Sequence, residues 1–261
     1  MAVTLSHVND NGGTSAGPYT LWNWTPTNGT LYLVFIAARL ASDTPPQPTC
    51  TGNSQTWELV CDLWMDEINH GGGATGNRRV SVFACKVSGA TAGNLVVSYG
   101  AADASMTDFI ASVESIAGAD ASGINGMTAF VQYNGNVIYQ STANSIAVTF
   151  NLPISSGNAV YACGTINTST GLSAGAGFTG LFSGNDTSGD IYGQTEYESA
   201  GPQTPTIAVN TGGGSQNFSI LAIEIGTRPA AVYPAGPPVT VPATLRFPKP
   251  LMARRAQGLR V

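Results

Sequence analysis

The stretches TLYLVFIAA (residues 30–38), RVSVFACKV (79–87) and FIASVESIAG (109–118) decide the fold class of this chain. Each is a short apolar run of strand length, rich in the β-branched and aromatic residues that favour strands. Turns rich in Gly, Asn, Asp and Pro separate these runs from their neighbours TWELVCDLW (56–64) and NLVVSYG (94–100). Residues that fill exposed helix faces are scarce, so we predict an all-β protein with little helix.

The second half of the chain repeats this pattern. NGTLYLVFIAA opens the first half and SGNAVYACGTI opens the second, while SVESIAG and LAIEIGT close them, with one Glu in each closing strand (Glu114 and Glu224). We interpret this likeness as an internal duplication with repeats at 28–118 and 140–226, although any two Gly-rich strand series share such features. Antiparallel strands with one buried face pack sheet on sheet, which predicts a β-sandwich of jelly-roll or Greek-key type.

Charge divides the chain into a body, residues 1–226, and a C-terminal arm, residues 227–261. The body has four basic and fifteen acidic residues, a formal charge of −11, whereas the arm has six basic and no acidic residues. The arm also holds seven of the fifteen prolines, which favour an extended backbone. Its apolar residues are too scattered to form a core, so we expect it to lie along a partner.

An acidic, partly apolar protein groove suits this arm better than nucleic acid does, because prolines and apolar residues interrupt its charges. Disorder without a partner is the alternative. The candidate docking residues are Arg228, Arg246, Phe247, Lys249, Leu251, Arg254, Arg255 and Arg260.

The remaining composition points to a chain with a real core and no membrane segment. Hydrophobic residues make up 43% of the sequence and charged residues only 10%. The N-terminus MAVTLSHVND lacks the pattern of a secretory signal, and no apolar run is long enough to span a bilayer, so we expect synthesis in the cytoplasm. Cys50, Cys61, Cys85 and Cys163 lack zinc-site spacing and are predicted to be buried, with a Cys50–Cys61 disulfide across a hairpin left open.

Several motifs resemble reactive sites, but each has a simpler interpretation. GTSAG (13–17) and GLSAG (171–175) match the pattern of a serine nucleophile, yet neither has the strand–turn–helix setting, and only His7 and His70 are available as bases. GGGATGN (71–77) lacks the Lys-Ser/Thr ending of a phosphate loop. We therefore predict no catalytic residue and no cofactor.

Two acidic groups are weak candidates for metal sites. Asp62, Asp66 and His70 would share one face of a helix, but a solvated loop after a strand is the favoured interpretation. Asp186 and Asp190 flank a Gly-rich turn with oxygen ligands suited to Ca²⁺, and turn chemistry alone also explains them. We predict no metal site.

Four aromatic residues are candidates for contact with a ligand, since an aromatic ring matches the apolar face of a sugar. They are Trp22, Trp24, Tyr192 and Tyr197. Packing in the core is the alternative role for most of them.

The order NGTLYLVFI, RRVSVFACKV, SGATAGNLVVSYGA, FIASVESIAGAD and FSILAIEI resembles that of β-sandwich proteins on the virion surface of tailed bacteriophages and in some bacterial surface proteins. The resemblance covers roughly residues 28–226 and rests on strand and turn patterns. It implies a structural or adhesive role on the virion surface and carries over no catalytic residue.

This resemblance, joined with the basic arm, predicts a capsid decoration or spike protein that the arm anchors to the major capsid protein or a neighbouring subunit. Identical copies are expected to associate, because virion sites are symmetric. The alternative is a carbohydrate- or receptor-binding module of a tail fibre or baseplate.

Overall fold

A computed structural model of the chain describes residues 2–41, 44–70, 76–167, 171–186, 188, 190–200, 202–209 and 216–227. The candidate docking residues of the arm, from Arg228 to Arg260, lie outside the described residues. No helix within the described part of the chain is long and apolar enough to cross a membrane.

The described residues form seventeen strands and one short α-helix. The first half contains β1 (Thr4–Gly13), β2 (Tyr19–Trp24), β3 (Leu31–Leu40), β4 (Thr49–Gly52), β5 (Gln55–Thr56), β6 (Glu58–Met65), α1 (Glu67–His70), β7 (Asn77–Lys86), β8 (Gly93–Ser98) and β9 (Met106–Ala117). The second half contains β10 (Phe130–Ser141), β11 (Ser145–Ala147), β12 (Ala159–Ile166), β13 (Leu172–Ala174), β14 (Thr179–Asn185), β15 (Tyr192–Ser199), β16 (Thr206–Val209) and β17 (Gln216–Ile225).

These strands form four antiparallel sheets, two from each half. The first inner sheet has the order β1-β9-β3-β7-β6, and the first outer sheet has the order β2-β8-β4-β5. The second inner sheet has the order β10-β17-β12-β15-β14, and the second outer sheet has the order β11-β16-β13. The prediction of an all-β antiparallel sandwich is confirmed.

The two halves have the same strand order. In each, the first strand lies beside the last, and the chain crosses repeatedly between inner and outer sheets, as in a jelly roll. Among the strands of the described residues, only β5 has no equivalent in the second half. The repeated strands run from Thr4 to Ala117 and from Phe130 to Ile225, so each series begins earlier than the predicted 28–118 and 140–226.

The sheets stack in four layers, with the two inner sheets face to face. One apolar cluster, the central core, lies between the inner sheets and includes Phe35 and Tyr161. Two further clusters, the first and second outer cores, fill the space between each inner sheet and its outer sheet. Every residue of β3 is buried, because both faces of the strand are covered. This double burial explains the unbroken apolar run of TLYLVFIAA, since a strand that alternates would expose one polar face.

The contacts between the halves follow a pseudo-two-fold relation. The edge strand β1 packs beside β14, and its equivalent β10 packs beside β6, which is the equivalent of β14. The halves therefore meet as two subunits of a symmetric dimer do.

The glutamates of the two closing strands are not equivalent. Leu31 of β3 pairs with Ile116, and the matching Ala159 of β12 pairs with Ile225. By this register the equivalent of Glu114 is the residue before Glu224, so the two glutamates differ by one position. A shift of one residue turns a side chain to the opposite face of the sheet. Glu114 therefore lies between the inner sheets, whereas Glu224 lies on the other side of its sheet.

Candidate partner-docking site at the root of the C-terminal arm

The last described residues fix the point at which the arm leaves the body. The backbone N–H of Gly226 donates to Ala129 O at 2.8 Å, and Gly226 O accepts from the N–H of Asp120 at 3.0 Å. The backbone N–H of Thr227 donates to Asn158 Oδ1 at 3.0 Å. These three bonds hold Gly226 and Thr227 from both sides. We call these two residues the root of the arm.

A buried polar network supports this root. The Asn158 side chain, 1% exposed, donates from Nδ2 to Glu224 Oε1 at 2.6 Å. The same oxygen accepts the backbone N–H of Ser155 at 2.9 Å, and Oε2 accepts Gln132 Nε2 at 2.7 Å. Three N–H donors thus satisfy the Glu224 carboxylate without a basic side chain. The network joins β10, β12 and β17, the strands around the exit point.

The cleft beside the root has a neutral and partly apolar lining. A cleft of about 430 Å³ is lined by Ala2, Gly157, Ser199, Ala200 and Thr227. A Cβ added at Gly226 would lie 3.0 Å from Val131 Cγ2, and Val131 is 43% exposed. Small and apolar residues therefore surround the first residue of the arm.

The basic residues of the body are mostly hidden from this surface. Arg78 Nη2 lies 2.7 Å from Glu67 Oε1, Arg39 Nη1 lies 3.5 Å from Asp108 Oδ2, and Arg79 pairs with Asp62. All three arginines are buried. Among the described residues, Lys86 is the one exposed Lys or Arg side chain. The outer surface of the body is therefore acidic and neutral, in contrast to the arm.

The structure separates Asp62 from Asp66 and His70. Asp62 lies on β6 and pairs with Arg79, so the helical face considered as an alternative for these three residues does not form. Asp66 precedes the four-residue helix α1, and its Oδ1 accepts the N–H of Asn69 at 3.4 Å. The His70 ring stacks on Tyr139 with 4.0 Å between centroids. The strand predicted at 56–64 continues to Met65, so Asp62 lies within it and not in the solvated loop that we favoured for this segment.

Asp186 turns inward, while Asp190 stays exposed. Asp186 Oδ1 accepts the N–H of Ile191 at 3.1 Å, and Ser188 bonds both Asp186 and Asp108. Burial, together with its contact to Asp186, raises the pKa of Asp108. These carboxyls connect the second half to the first half. Among the described residues, no group of three or more His, Cys, Asp or Glu side chains is placed to hold a metal ion.

The serine motifs and the cysteines lie in different settings. Ser15 is in the turn between β1 and β2, and its backbone bonds the Tyr19 hydroxyl. Ser173 is paired within β13, so neither serine stands between a strand and a helix. All four cysteines are buried and free, and burial raises the pKa of each thiol. Cys50 belongs to the first outer core and Cys61 to the central core, which places them in different layers and excludes the disulfide left open above.

The four candidate aromatic residues do not form one platform. Trp22 and Trp24 pack against the first outer core, and the Trp24 ring meets Tyr32 edge-on at 5.0 Å. Tyr192 packs against the second outer core, where its hydroxyl lies 2.9 Å from Ser183 Oγ, and Tyr197 packs against the central core. Each ring is half-buried in its own layer.

Sequence reasoning missed the residues that build the root, namely Asn158, Gln132 and Ser155. The one available signal was the turn SGN ahead of an apolar strand, which reads as ordinary turn chemistry. The chain matches no protein-family model, no curated protein and no solved structure.

Proposed function

We propose that the chain is a structural virion protein, a capsid decoration or spike protein that its C-terminal arm attaches to the major capsid protein or a neighbouring subunit. The observation that carries this proposal is the separation of charge. The body conceals three of its four basic residues in buried ion pairs, while the arm supplies six basic residues and no acidic one. A single segment thus holds nearly all the positive charge that a partner can contact.

The root supports the same proposal. Its hydrogen bonds to Ala129, Asp120 and Asn158 hold Gly226 and Thr227 at one defined point of the body. Proline-rich segments bind by laying an extended backbone along a neighbour, at a small entropic cost because their conformation is restricted beforehand. We expect the partner surface to be acidic and partly apolar, and we expect the bound copies to follow the symmetry of the particle.

The test compares the full chain with a form that ends at Thr227. Both are added to particles of the phage that encodes the chain, prepared without this protein, and binding is measured by cosedimentation. We expect the shortened form to keep its near-UV circular dichroism and to lose binding. Equal binding of both forms would sink the anchoring proposal.

A full-length control separates charge from length. Replacement of Arg246, Arg254 and Arg255 by Gln keeps the arm but removes half of its charge, so binding should weaken and depend less on salt. Cryo-electron microscopy of the decorated particle then locates the protein. Density on tail fibres instead of the head would favour the receptor-binding alternative.

A further inference from the structure

The seventh strand of the first repeat, β7, and its equivalent β15 differ in the residues that face their outer sheets. Val34 pairs with Phe83, and the matching Ala162 pairs with Glu196, so Phe83 and Glu196 hold equivalent positions. By the same register, Glu198 replaces Cys85 and Gln194 replaces Ser81. Phe83 and Cys85 belong to an apolar core. The second repeat therefore has two carboxylates and an amide on a face that is largely apolar in the first.

Two of these side chains are buried with an oxygen that has no partner. Gln194 is 2% exposed and Glu196 is fully buried. Within the described residues, Gln194 Oε1 and Glu196 Oε1 have no hydrogen-bond donor. Their other polar atoms are occupied: Gly175 N–H donates to Glu196 Oε2 at 2.7 Å, and Gln194 Nε2 donates to Thr195 O at 3.0 Å. Unpartnered buried oxygens are costly, so this site calls for a ligand or a proton.

The loop after β13 covers these oxygens. Two of its residues, Gly175 and Gly177, are glycines and therefore have no side chain. A Cβ at Gly175 would lie 1.9 Å from Thr206 O, so this close approach of backbone to backbone requires glycine. Gly177 has a φ of +88°, and a Cβ there would lie 3.1 Å from Glu198 Oε1. The loop thus brings both carboxylates under one glycine-rich cover, with half-buried Glu198 on the side open to solvent.

No protein cation neutralises this face among the described residues. The four basic residues of the described body, Arg39, Arg78, Arg79 and Lys86, all belong to the first repeat. Burial raises the pKa of Glu196 to about 8, the Gly175 hydrogen bond opposes this, and the charge of Glu198 adds to it. The described residues thus supply neither Glu196 nor Glu198 with a basic partner.

We infer that Gln194, Glu196 and Glu198 bind a hard divalent cation of the Ca²⁺ class. Alternate residues of a strand point to the same side about 7 Å apart, so Glu196 lies midway between Gln194 and Glu198, and both neighbours can lean towards an ion at its unpartnered oxygen. Carboxylate and amide oxygens are the ligands that Ca²⁺ prefers, and water can complete its coordination of about six to eight oxygens. The cation would join the inner sheet to the loop that leads from the outer sheet.

The test is thermal unfolding of the full chain with and without CaCl₂, with MgCl₂ as a comparison. With Ca²⁺ at about a hundred times its Kd, we expect the melting temperature to rise by roughly 5–10 °C. Calorimetric titration should give one ion per chain, and Mg²⁺ should produce a smaller shift because it demands stricter geometry.

Three variants decide whether the ion lies at this site. Glu196→Gln removes the buried carboxylate, keeps its shape and should abolish the shift. Glu198→Gln changes a half-buried residue and should reduce the Ca²⁺ affinity by about tenfold or more, which keeps the test valid if the first variant does not fold. Glu114→Gln is the matched control at another buried glutamate and should respond as the wild type does. No shift in the wild type, or equal shifts in wild type and Glu196→Gln, would overturn the inference.

Discussion

The two repeats share one strand order but fill the space beneath their outer sheets differently. In the first repeat this space contains large side chains, among them Tyr32, Trp57 and Phe83. In the second repeat, Val160 replaces Tyr32, and Glu196 replaces Phe83. The strand order therefore depends on the pattern of buried faces and on register, and it tolerates a polar cluster wherever that cluster can be satisfied.

The repeats also differ in what they contribute to the interface between them, which we call the seam. Arg78 of the first repeat donates to Asn217 O at 3.0 Å, and Arg39 donates to Asp190 O at 3.1 Å, so guanidinium groups of one repeat bind the backbone of the other. By register, the position of Arg78 is taken in the second repeat by the buried apolar Ile191. The charged side chains that form these hydrogen bonds across the seam thus come from the first repeat.

The largest expected effect is at this seam. Arg78→Met should lower the free energy of unfolding by about 3–5 kcal/mol, because it leaves the buried Glu67 carboxylate without its closest partner. The double variant Glu67→Gln, Arg78→Met should recover much of this loss, since neither charge remains. Urea unfolding of both variants measures the difference. A double variant that is as unstable as the single one would show that the pair matters through shape instead of charge.

The next effect compares equivalent positions of the two outer cores. Phe83→Gln should cost about 3–4 kcal/mol, because it removes a buried ring and leaves an amide among apolar neighbours. Glu196→Gln, the same final residue at the equivalent position, should cost less than about 1 kcal/mol, since its surroundings already accept a neutral polar group. Urea unfolding in the presence of a chelator tests both. Equal costs would contradict the difference drawn between the cores.

The smallest effect, taken per pH unit, is the pH dependence of two buried carboxyls, one in the central core and one in the second outer core. Burial raises the pKa of Glu114 from 4.5 to about 7, against hydrogen bonds from Ser112, Thr195 and Tyr161. The folded state therefore holds a proton that the unfolded chain has already lost, so this contribution to stability is complete below about pH 4.5 and is lost as the pH rises to about 7. The loss approaches about 1.4 kcal/mol per pH unit.

Unfolding measured from pH 5 to 8 at constant ionic strength tests this dependence. Glu114→Gln should reduce the slope up to about pH 7, whereas Glu196→Gln should also reduce it up to about pH 8. Slopes that neither variant changes would show that the pKa values of these carboxyls do not differ between the folded and unfolded states.

The sequence by itself determined the fold class, most of the strands and the contrast between an acidic body and a basic arm. These features are local, because strand periodicity, turn residues and charge are properties of short segments. The similarity of the opening segments NGTLYLVFIAA and SGNAVYACGTI also corresponds to an equivalence in three dimensions, since β3 and β12 occupy the same place in their sheets.

Only the tertiary structure decided what covers each face. The alternation in YGQTEYES indicates that Gln194, Glu196 and Glu198 share one side of a strand, and an exposed polar face is the ordinary interpretation of that pattern. The structure instead buries Gln194 and Glu196 beneath a glycine loop, and it places Glu114 and Glu224 on opposite faces. A pattern of period two shows which side chains point together, but the stacking of four sheets depends on contacts between residues far apart in the chain, so burial could not be known from the sequence.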